Sequence, residues 1–366
     1  MFKLIYTYIY LFIPIHYKYK KYFLFLLKKG MSFIAVNTEG IVPIYEQIKD
    51  SITTAIEKGI LRMDDRLPSI NGLCREFSIS PGTVLKAYED LCRNGILGSK
   101  KGKGFYVLST KLTRQLNVFV LFDRISSYKE VLYDSFHRSL GHDASVQVFF
   151  HHYDDERFRT MIEESVGKYN HYVIMPHFNH DVSPVLMRIP EDKLLIIDKT
   201  VPQLKGKYSS ICQNFKEDIY QALREGRTLI MKYQRILFCK STSRFQFIPD
   251  GLIRGFEKFV HDFSIDGVVT ASIRDHSIIK GDCFVVFPDS DLIFLIKEAK
   301  RLRLKIGRDI GIIAYDDSPM KEILEGGITV ISTDFEAMGA KAAEMILTGR
   351  REKVFNRCYF TKRKSL

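Results

Sequence analysis

Residues 67–107 constrain this chain more than any other stretch. They predict two short helices, a longer third helix and a basic hairpin. Ser69 can cap the first short helix, and Ser80 can cap the next one, where Pro81 lies in the first turn and loses no hydrogen bond. The hairpin tip is the cationic run SKKGKG at 99–104. Helices joined by a tight turn and followed by a cationic wing fit the major groove of DNA and its flanking phosphates.

The side chains that we expect to contact DNA lie in the two capped helices and in the wing. From the helices, the candidates for base and phosphate contacts are Ser69, Arg75, Ser80, Thr83 and Lys86. In the wing, the cationic candidates for phosphate contacts are Lys100, Lys101 and Lys103, and Gly102 and Gly104 allow the tip to enter a groove. The helix after Ser80 should bury the apolar stripe formed by Val84, Ala87, Tyr88 and Leu91.

Several short motifs in a fixed order accompany this segment. They are PIYEQI at 43–48, GIL at 59–61, LPS at 67–69 and GKGF at 102–105. In this order and spacing they resemble the winged helix-turn-helix of GntR-type bacterial transcription regulators, over about residues 41–107. Many members carry arginines where this chain has Asn71, Pro81 and Leu85. Guanine contacts by those arginines therefore cannot be transferred, and the operator sequence stays open.

The positive charge of the chain is concentrated at its beginning. The 366 residues carry a formal net charge of +12, and they exceed the usual size of one domain. Residues 1–30 contain six lysines and no acid, and the first acid is Glu39. The inference that the chain binds DNA therefore depends on the motif and not on the overall charge.

Residues 1–30 differ in composition from all that follows. We expect them to be a non-native leader translated upstream of a start at Met31, with a disordered tail and a membrane segment as alternatives. The apolar run at 4–15 is shorter than the roughly 20 residues that span a bilayer. The six scattered cysteines form no C-x-x-C pair, which favours a cytoplasmic protein without a metal site.

After the domain predicted at 31–108, a polar linker at 109–116 leads into a region of alternating strands and helices. Buried strands are predicted at 118–122, 146–150, 172–176, 194–198, 228–233, 235–240, 268–270, 283–287 and 310–317. Helices are predicted near 128–140, 155–167, 181–188, 250–262 and 290–303. Continuous apolar strands that alternate with helices are typical of parallel sheets covered on both faces. The fold class is therefore an N-terminal winged helix (α+β) followed by an α/β domain of two lobes at 117–366.

The second half of this region carries its own recognisable motifs. They are DCFVV at 282–286, KIGRDIGIIAYDD at 305–317 and MGAKAA at 338–343. The region resembles the effector domain of lactose-repressor-type regulators, which is similar to periplasmic sugar-binding proteins. A GntR-type reader fused to such a domain resembles arabinose-repressor-like regulators. The resemblance implies three crossings between lobes, near 210–213, 332–335 and 355–357, and a ligand cleft at the carboxyl ends of the strands.

The resemblance also implies which strand ends contact an effector. Asp316 occupies the position of an aspartate that binds sugar hydroxyls in that family, while Asp317 beside it can cap the next helix. The other candidates for effector contacts, all at strand ends or just after them, are Asp123, Tyr128, His177, Phe178, Asp198 and Asp289. For the aromatic side chains, packing at the strand end is the alternative. The family often has an arginine where this chain has Leu252, so the ligand can differ.

These observations favour a ligand-controlled repressor that is not an enzyme and needs no cofactor. We expect a homodimer on operator DNA, released when a monosaccharide closes the cleft. One alternative is a GntR-type fusion to an aminotransferase-like domain that uses pyridoxal phosphate, for which the chain is short. Another is a membrane-tethered solute sensor, which requires residues 1–30 to be inserted.

Overall fold

The structure is a computed structural model. It describes residues 33–40, 42–100, 104–110, 116–142, 144–241 and 247–366. The chain divides into two compact units between residues 114 and 115. The expectations for residues 1–30, for the wing residues Lys101, Gly102 and Lys103, and for linker residues 111–115 lie outside the described ranges.

The first unit contains three helices and a hairpin. They are α1 (Ile44–Glu57), α2 (Ile70–Phe77), α3 (Pro81–Arg93), β1 (Leu97–Lys100) and β2 (Gly104–Val107). The two strands pair antiparallel. Between residues 67 and 107 there are two helices, so the prediction of three in that stretch was wrong. The predicted caps are present, since the Ser69 hydroxyl accepts from the Gly72 amide and the Ser80 hydroxyl from the Thr83 amide.

Tyr88 joins α3 to the rest of this unit. The predicted stripe of Val84, Ala87, Tyr88 and Leu91 is buried. The Tyr88 hydroxyl donates to the carbonyl oxygen of Pro68 at 2.9 Å. Its ring lies edge-on to Phe105 of β2, with 4.8 Å between ring centroids. One fully buried side chain therefore fixes α3 relative to both the turn before α2 and the wing.

The second unit has two lobes, and lobe 1 is built on an all-parallel sheet. Its elements are β3 (Leu116–Phe122), α4 (Ser127–Leu140), β4 (Ala144–Phe150), α5 (Asp155–Ser165), β5 (His171–Ile174), α6 (Ser183–Leu186), β6 (Leu194–Asp198) and β7 (Ser209–Cys212), with α12 (Phe335–Thr348) and β13 (Lys353–Phe355) added from later in the chain. The strand order is β13-β7-β6-β5-β3-β4. The central strands β3, β5 and β6 bury both faces, as predicted from their continuous apolar runs. The strand predicted as buried at 146–150 is instead the edge strand β4, which is half-buried with Gln147 exposed.

Lobe 2 repeats this plan with one antiparallel edge strand. Its elements are α7 (Phe215–Glu225), α8 (Arg227–Ile230), β8 (Arg235–Cys239), α9 (Asp250–Phe263), β9 (Gly267–Thr270), β10 (Asp282–Val286), α10 (Asp289–Arg301), β11 (Gly311–Tyr315), α11 (Pro319–Ile323), β12 (Thr329–Thr333) and β14 (Cys358–Thr361). The strand order is β14-β12-β11-β10-β8-β9, and β14 runs antiparallel to β12. The predicted fold class is confirmed.

Three segments connect the lobes, at 213–214, at 334 and at 356–357. These positions agree with the predicted crossings. The segments are hydrogen-bonded to one another, since the Asn356 amide donates to the Cys212 carbonyl at 2.8 Å and the Asp334 amide to the Arg357 carbonyl at 2.9 Å. The Asn356 side chain also donates to the Asp334 carbonyl. The three crossings thus form a single hinge.

Two other predictions need correction. The apolar run at 228–233 is not a strand, because residues 227–230 form the short helix α8 after α7. Short apolar runs fit buried strands and buried helices equally well, and Gly226 in front of this run continues the helical backbone. The helix predicted at 181–188 is one turn, α6. Among the described residues, no helix combines the length and the apolar character needed to cross a membrane.

Candidate functional site

The carboxyl ends of the parallel strands in the two sheets face each other across a cavity between the lobes. Five predicted effector residues line it: Asp123, Tyr128, His177, Asp198 and Asp316. Arg124, at a strand end that the sequence directs to the cleft, and Leu252, where the family often has an arginine, also line it. Residues that the sequence did not indicate complete the lining: Lys129, Tyr153, Gln213, Phe215, Phe247, Pro249, Phe287 and Tyr315.

His177 is the centre of the lobe 1 wall. Its Nδ1 lies 3.0 Å from an oxygen of Asp123 at the end of β3, and its Nε2 lies 2.6 Å from an oxygen of Asp198 at the end of β6. Burial lowers the pKa of His177, but the two carboxylates outweigh it and raise the pKa above its ordinary value. The ring is therefore a cation that donates from both nitrogens.

Lys129, in the first turn of α4, adds a second buried cation. Its ammonium group forms an ion pair with Asp123, and both side chains are almost fully buried. Burial favours the neutral acid at Asp123, yet His177 and Lys129 hold the pKa of that carboxyl well below its usual range. Asp123 therefore remains ionised between two cations.

Gln213, at the first crossing, connects the two walls. Its side-chain amide donates to Asp198 of lobe 1, and its Oε1 accepts from the Tyr315 hydroxyl of lobe 2 at 3.2 Å. The sequence does not indicate this residue, because a glutamine after a strand carries no distinctive pattern. Its position at the hinge makes it sensitive to the angle between the lobes.

Asp316 follows β11. Among the described residues of lobe 2, it is the only acidic side chain that lines the cavity. Its backbone is left-handed, with φ 58°, as is that of Asp198 with φ 70°. Aspartate tolerates this region better than most residues. The Oδ1 atom is buried and has no hydrogen-bond partner among the described residues. Burial raises the pKa of Asp316 to about 7.

Lys321 of α11 holds the backbone next to Asp316. Its buried ammonium group donates to the carbonyl oxygens of Tyr315 and Asp316 at 3.1 and 2.6 Å. It also lies 3.2 Å from an oxygen of Asp289. These contacts stabilise the strand end, and they direct the lysine's hydrogen bonds to backbone oxygens and to Asp289.

Aromatic rings form much of the remaining lining. Phe287 packs on Tyr315 with 5.3 Å between centroids. Phe247, from the segment before α9, stacks on His177 across the cleft at 4.9 Å and an interplanar angle of 16°. Tyr128 stacks on Phe335 at 4.3 Å. An aromatic side chain from lobe 2 thus covers the cation of lobe 1.

Two predicted effector residues do not line the cavity. Phe178 is buried beside His151 and Phe158, at ring distances of 4.8 and 5.0 Å, because the chain turns back into lobe 1 after β5. Asp289 starts α10 and pairs with Lys321. Asp317, expected as a helix cap, instead forms a two-pronged ion pair with Arg363.

Metal ligation is not supported by this arrangement. Within the described ranges, no group of three or more His, Cys, Asp or Glu side chains is arranged to hold a metal ion. Both nitrogens of His177 already contact carboxylates. The side chains of the cavity are suited to hydrogen bonding and ion pairing.

In the first unit, the predicted DNA contacts of the helices lie at the N-terminal ends of α2 and α3 or on their solvent side. Ser69, Arg75, Ser80 and Lys86 are exposed, and Thr83 is half-buried. Ser80, Thr83 and Lys86 recur every three residues and share one face of α3. Lys86 places its ammonium group 3.7 Å from the ring centroid of Tyr45.

The wing is described up to Lys100 and again from Gly104. Lys100 lies over the ring of Tyr106. Gly104 has φ 82°, a conformation that glycine adopts without strain. Two exposed residues that the sequence did not indicate extend this surface, Arg66 and Leu85 of α3. The backbone of Arg66 forms an isolated antiparallel β-bridge with that of Tyr106, and its side chain lies beside Gly104. An apolar side chain on such a helix can contact a thymine methyl group.

Comparisons with known proteins match both units. Residues 44–107 match the model for bacterial regulatory proteins of the gntR family, and residues 232–355 match the periplasmic binding protein-like domain. YurK of Bacillus subtilis, an uncharacterized HTH-type transcriptional regulator, is 41% identical over 81 residues, which are 22% of this chain and 34% of YurK. YhcF of the same organism, also an uncharacterized HTH-type transcriptional regulator, is 30% identical over 83 residues, which are 20% of this chain and 69% of YhcF. The chain thus spans about a third of YurK.

A solved structure extends the comparison to the second unit. The LacI family transcriptional regulator from Lactobacillus casei with bound glucose superposes with a TM-score of 0.56 at 16% identity, over 68% of this chain and 99% of that chain. At this identity the likeness shows the fold alone. The chain therefore belongs to the gntR family of bacterial regulatory proteins, and it joins that family's winged helix to a two-lobed periplasmic-binding-protein-like domain.

Proposed function

We propose that this protein is a transcriptional repressor that a monosaccharide controls. The observation that carries the proposal is the cavity between the lobes, where His177, Asp198 and Asp316 meet on a chain that also has a GntR winged helix. Charge-assisted hydrogen bonds from such groups suit the hydroxyls of a sugar. The glucose bound by the structural neighbour from Lactobacillus casei supports this class of effector.

We assign α3 to the major groove of DNA. Ser80, Thr83 and Lys86 face solvent on one side of this helix. The wing lysines contact the flanking phosphates. A homodimer would place two such helices on a palindromic operator, with half-sites about one helical turn apart.

Coupling between the two sites would use the hinge. A sugar that contacts Asp198 of lobe 1 and Asp316 of lobe 2 favours the closed arrangement of the lobes. Closure changes the dimer so that its two winged helices no longer match the half-sites. The coupling must be reciprocal, so operator DNA lowers the affinity for the sugar by the same factor.

The test begins with DNA selected by the full-length protein from a random duplex library. The selected duplex is then titrated by fluorescence anisotropy with and without each member of a monosaccharide panel, and a thermal-shift screen reports sugar binding directly. We expect one sugar to raise the melting temperature and to weaken operator binding. Asp316→Asn should lose both effects, whereas Glu257→Gln, an exposed carboxylate on α9, should keep them.

The outcomes separate the two parts of the proposal. If the selection enriches no DNA sequence, the proposed sequence-specific DNA binding is wrong. If no sugar changes operator binding and no sugar shifts the melting temperature, the proposed monosaccharide effector is wrong. The aminotransferase-like alternative is not retained, because residues 232–355 match the periplasmic binding protein-like domain.

A further inference from the structure

The two walls of the cavity differ in chemistry. Lobe 1 contributes five charged or ionisable side chains, Asp123, Arg124, Lys129, His177 and Asp198, together with the rings of Tyr128 and Tyr153. Lobe 2 contributes one carboxylate, Asp316, among apolar and aromatic side chains: Phe215, Phe247, Pro249, Leu252, Phe287 and Tyr315. One wall is therefore a network of compensated charges, and the other is a single acid in an apolar surface.

Two of the cations of lobe 1 already contact acids. Lys129 pairs with Asp123, and His177 lies between Asp123 and Asp198. On lobe 2, the ammonium group of Lys321 donates to two backbone carbonyls and lies beside Asp289. The Oδ1 atom of Asp316 has no partner among the described residues. A buried carboxylate without a donor is costly, so the occupant of the cavity has to supply one.

Leu252 determines what kind of donor fits. This side chain lines the cavity and is 1% exposed. Among the described residues, lobe 2 therefore lines the cavity with no basic side chain. Phe287 and Tyr315 present aromatic rings to the same cavity. Aromatic faces attract cations, and a carboxylate inside an aromatic wall is an arrangement that recognises an ammonium group.

We propose that the effector carries an ammonium group that binds Asp316 against the aromatic wall of lobe 2, while its hydroxyls contact the His177 network of lobe 1. An amino sugar in its protonated form satisfies both walls. This inference rests on the proposed function, because it specifies the class of the monosaccharide. The ammonium group supplies the donor that Oδ1 of Asp316 lacks and the positive charge that Leu252 does not provide.

The test compares matched sugars by titration calorimetry on the full-length protein. The probes are glucosamine, galactosamine and mannosamine, each set against its neutral parent sugar and its N-acetyl derivative. We expect one amine to bind at least about tenfold more tightly than both of its neutral counterparts, since charge-assisted bonds are about twice as strong as neutral ones. Asp316→Asn should abolish this preference, and Glu257→Gln should retain it.

The pH dependence of the affinity for the amine distinguishes a direct contact with Asp316 from a merely structural role of this residue. The groups that act on this carboxyl are Lys321 of α11, Lys129 of α4, His177 after β5 and Asp198 of β6. Because ionised Asp316 binds the ammonium group, the affinity should rise from about pH 5 to about pH 7 as its proton is released. In Asp316→Asn the affinity should be flat over this range.

A second variant adds a cation to the wall. Leu252→Arg places a guanidinium group in the cavity, and it should remove amine binding while a neutral parent sugar can still bind. Leu252→Met is the matched control of similar volume and should keep the preference for the amine. Melting temperatures of both variants establish that they fold.

Failure of this inference differs from failure of the proposed function. A neutral or N-acetylated sugar that binds as tightly as its amine would overturn the ammonium assignment and leave the monosaccharide effector intact. Binding of neither kind of sugar would overturn both. An amine preference that persists in Asp316→Asn would also overturn the assignment.

Discussion

The backbone of Gly339 packs directly against the carbonyl oxygen of Leu132. A Cβ atom at position 339 would lie 2.3 Å from that oxygen. Gly339 belongs to α12, which follows a strand of lobe 2 in sequence, and Leu132 belongs to α4 of lobe 1. The close approach of these helices is what attaches α12 to lobe 1.

Gly339→Ala should therefore separate the two helices and destabilise the protein by about 1–3 kcal/mol, because overpacking outweighs the gain in helix propensity. Urea denaturation of the full-length protein measures the change. Gly82→Ala in α3 is the matched control, since a Cβ there meets nothing closer than 3.9 Å. Equal stability of Gly339→Ala and the wild type would contradict the close contact.

Asp316→Asn should change how stability depends on pH. Burial raises the pKa of this carboxyl from 3.8 to about 7, so the folded state binds its proton more tightly than the unfolded state. The stability contributed by the neutral acid is complete below the unfolded pKa and is lost as the pH rises through the folded one. Above about pH 7 the asparagine variant should be the more stable, by at most about 4 kcal/mol.

Denaturation of both proteins between about pH 4 and pH 8 checks this prediction. His177, whose pKa is also raised, is present in both proteins, so the difference between their profiles isolates Asp316. Parallel profiles would mean that this carboxylate is ionised at no cost in the folded protein.

Lys129→Met should destabilise the protein by roughly 3 kcal/mol, because it leaves Asp123 buried with one cation fewer. The double variant with Asp123→Asn should recover part of this loss, since the charge that lacks a partner is removed as well. A double-mutant cycle by urea denaturation gives the coupling energy. Additive losses in the cycle would indicate that the two side chains act independently.

Replacing Lys100, Lys101 and Lys103 by alanine should weaken binding to all DNA sequences alike. The logarithmic salt dependence of the affinity should become shallower by about 1–3 units, at about 0.9 per lost phosphate contact. Anisotropy titrations at several salt concentrations measure the slope. Lys58→Ala, an exposed lysine after α1, is the control. An unchanged slope in the triple variant would remove the wing from the DNA interface.

The sequence predicted most strands well because their apolar runs are long and end in polar residues. β6 ends at Asp198 as predicted, and Ser69 and Ser80 cap the helices expected of them. The run at 228–233 was misassigned because periodicity cannot distinguish a short buried helix from a strand. Parallel strands end at one edge, which is why Asp123, His177, Asp198 and Asp316 meet.

The rest of the site depends on features that periodicity does not encode. Lys129 lies on a helix, where a lysine normally faces solvent, and its burial follows only from the position of Asp123. Gln213 contacts Asp198 and Tyr315 because it lies at the hinge between the two lobes. Phe178 was expected in the cleft, but the direction in which the chain turns after β5 determines that it packs inward.

The three crossings also affect how the protein is made. Lobe 1 needs α12 and β13, and lobe 2 needs β14 and Leu366, so neither lobe is a continuous stretch of chain. As the chain leaves the ribosome, β3 to β7 emerge long before α12 is synthesised. The apolar surface that Met338 and Ala342 later cover stays exposed during that interval. Apolar surface that is exposed during synthesis favours aggregation, whatever the stability of the finished protein.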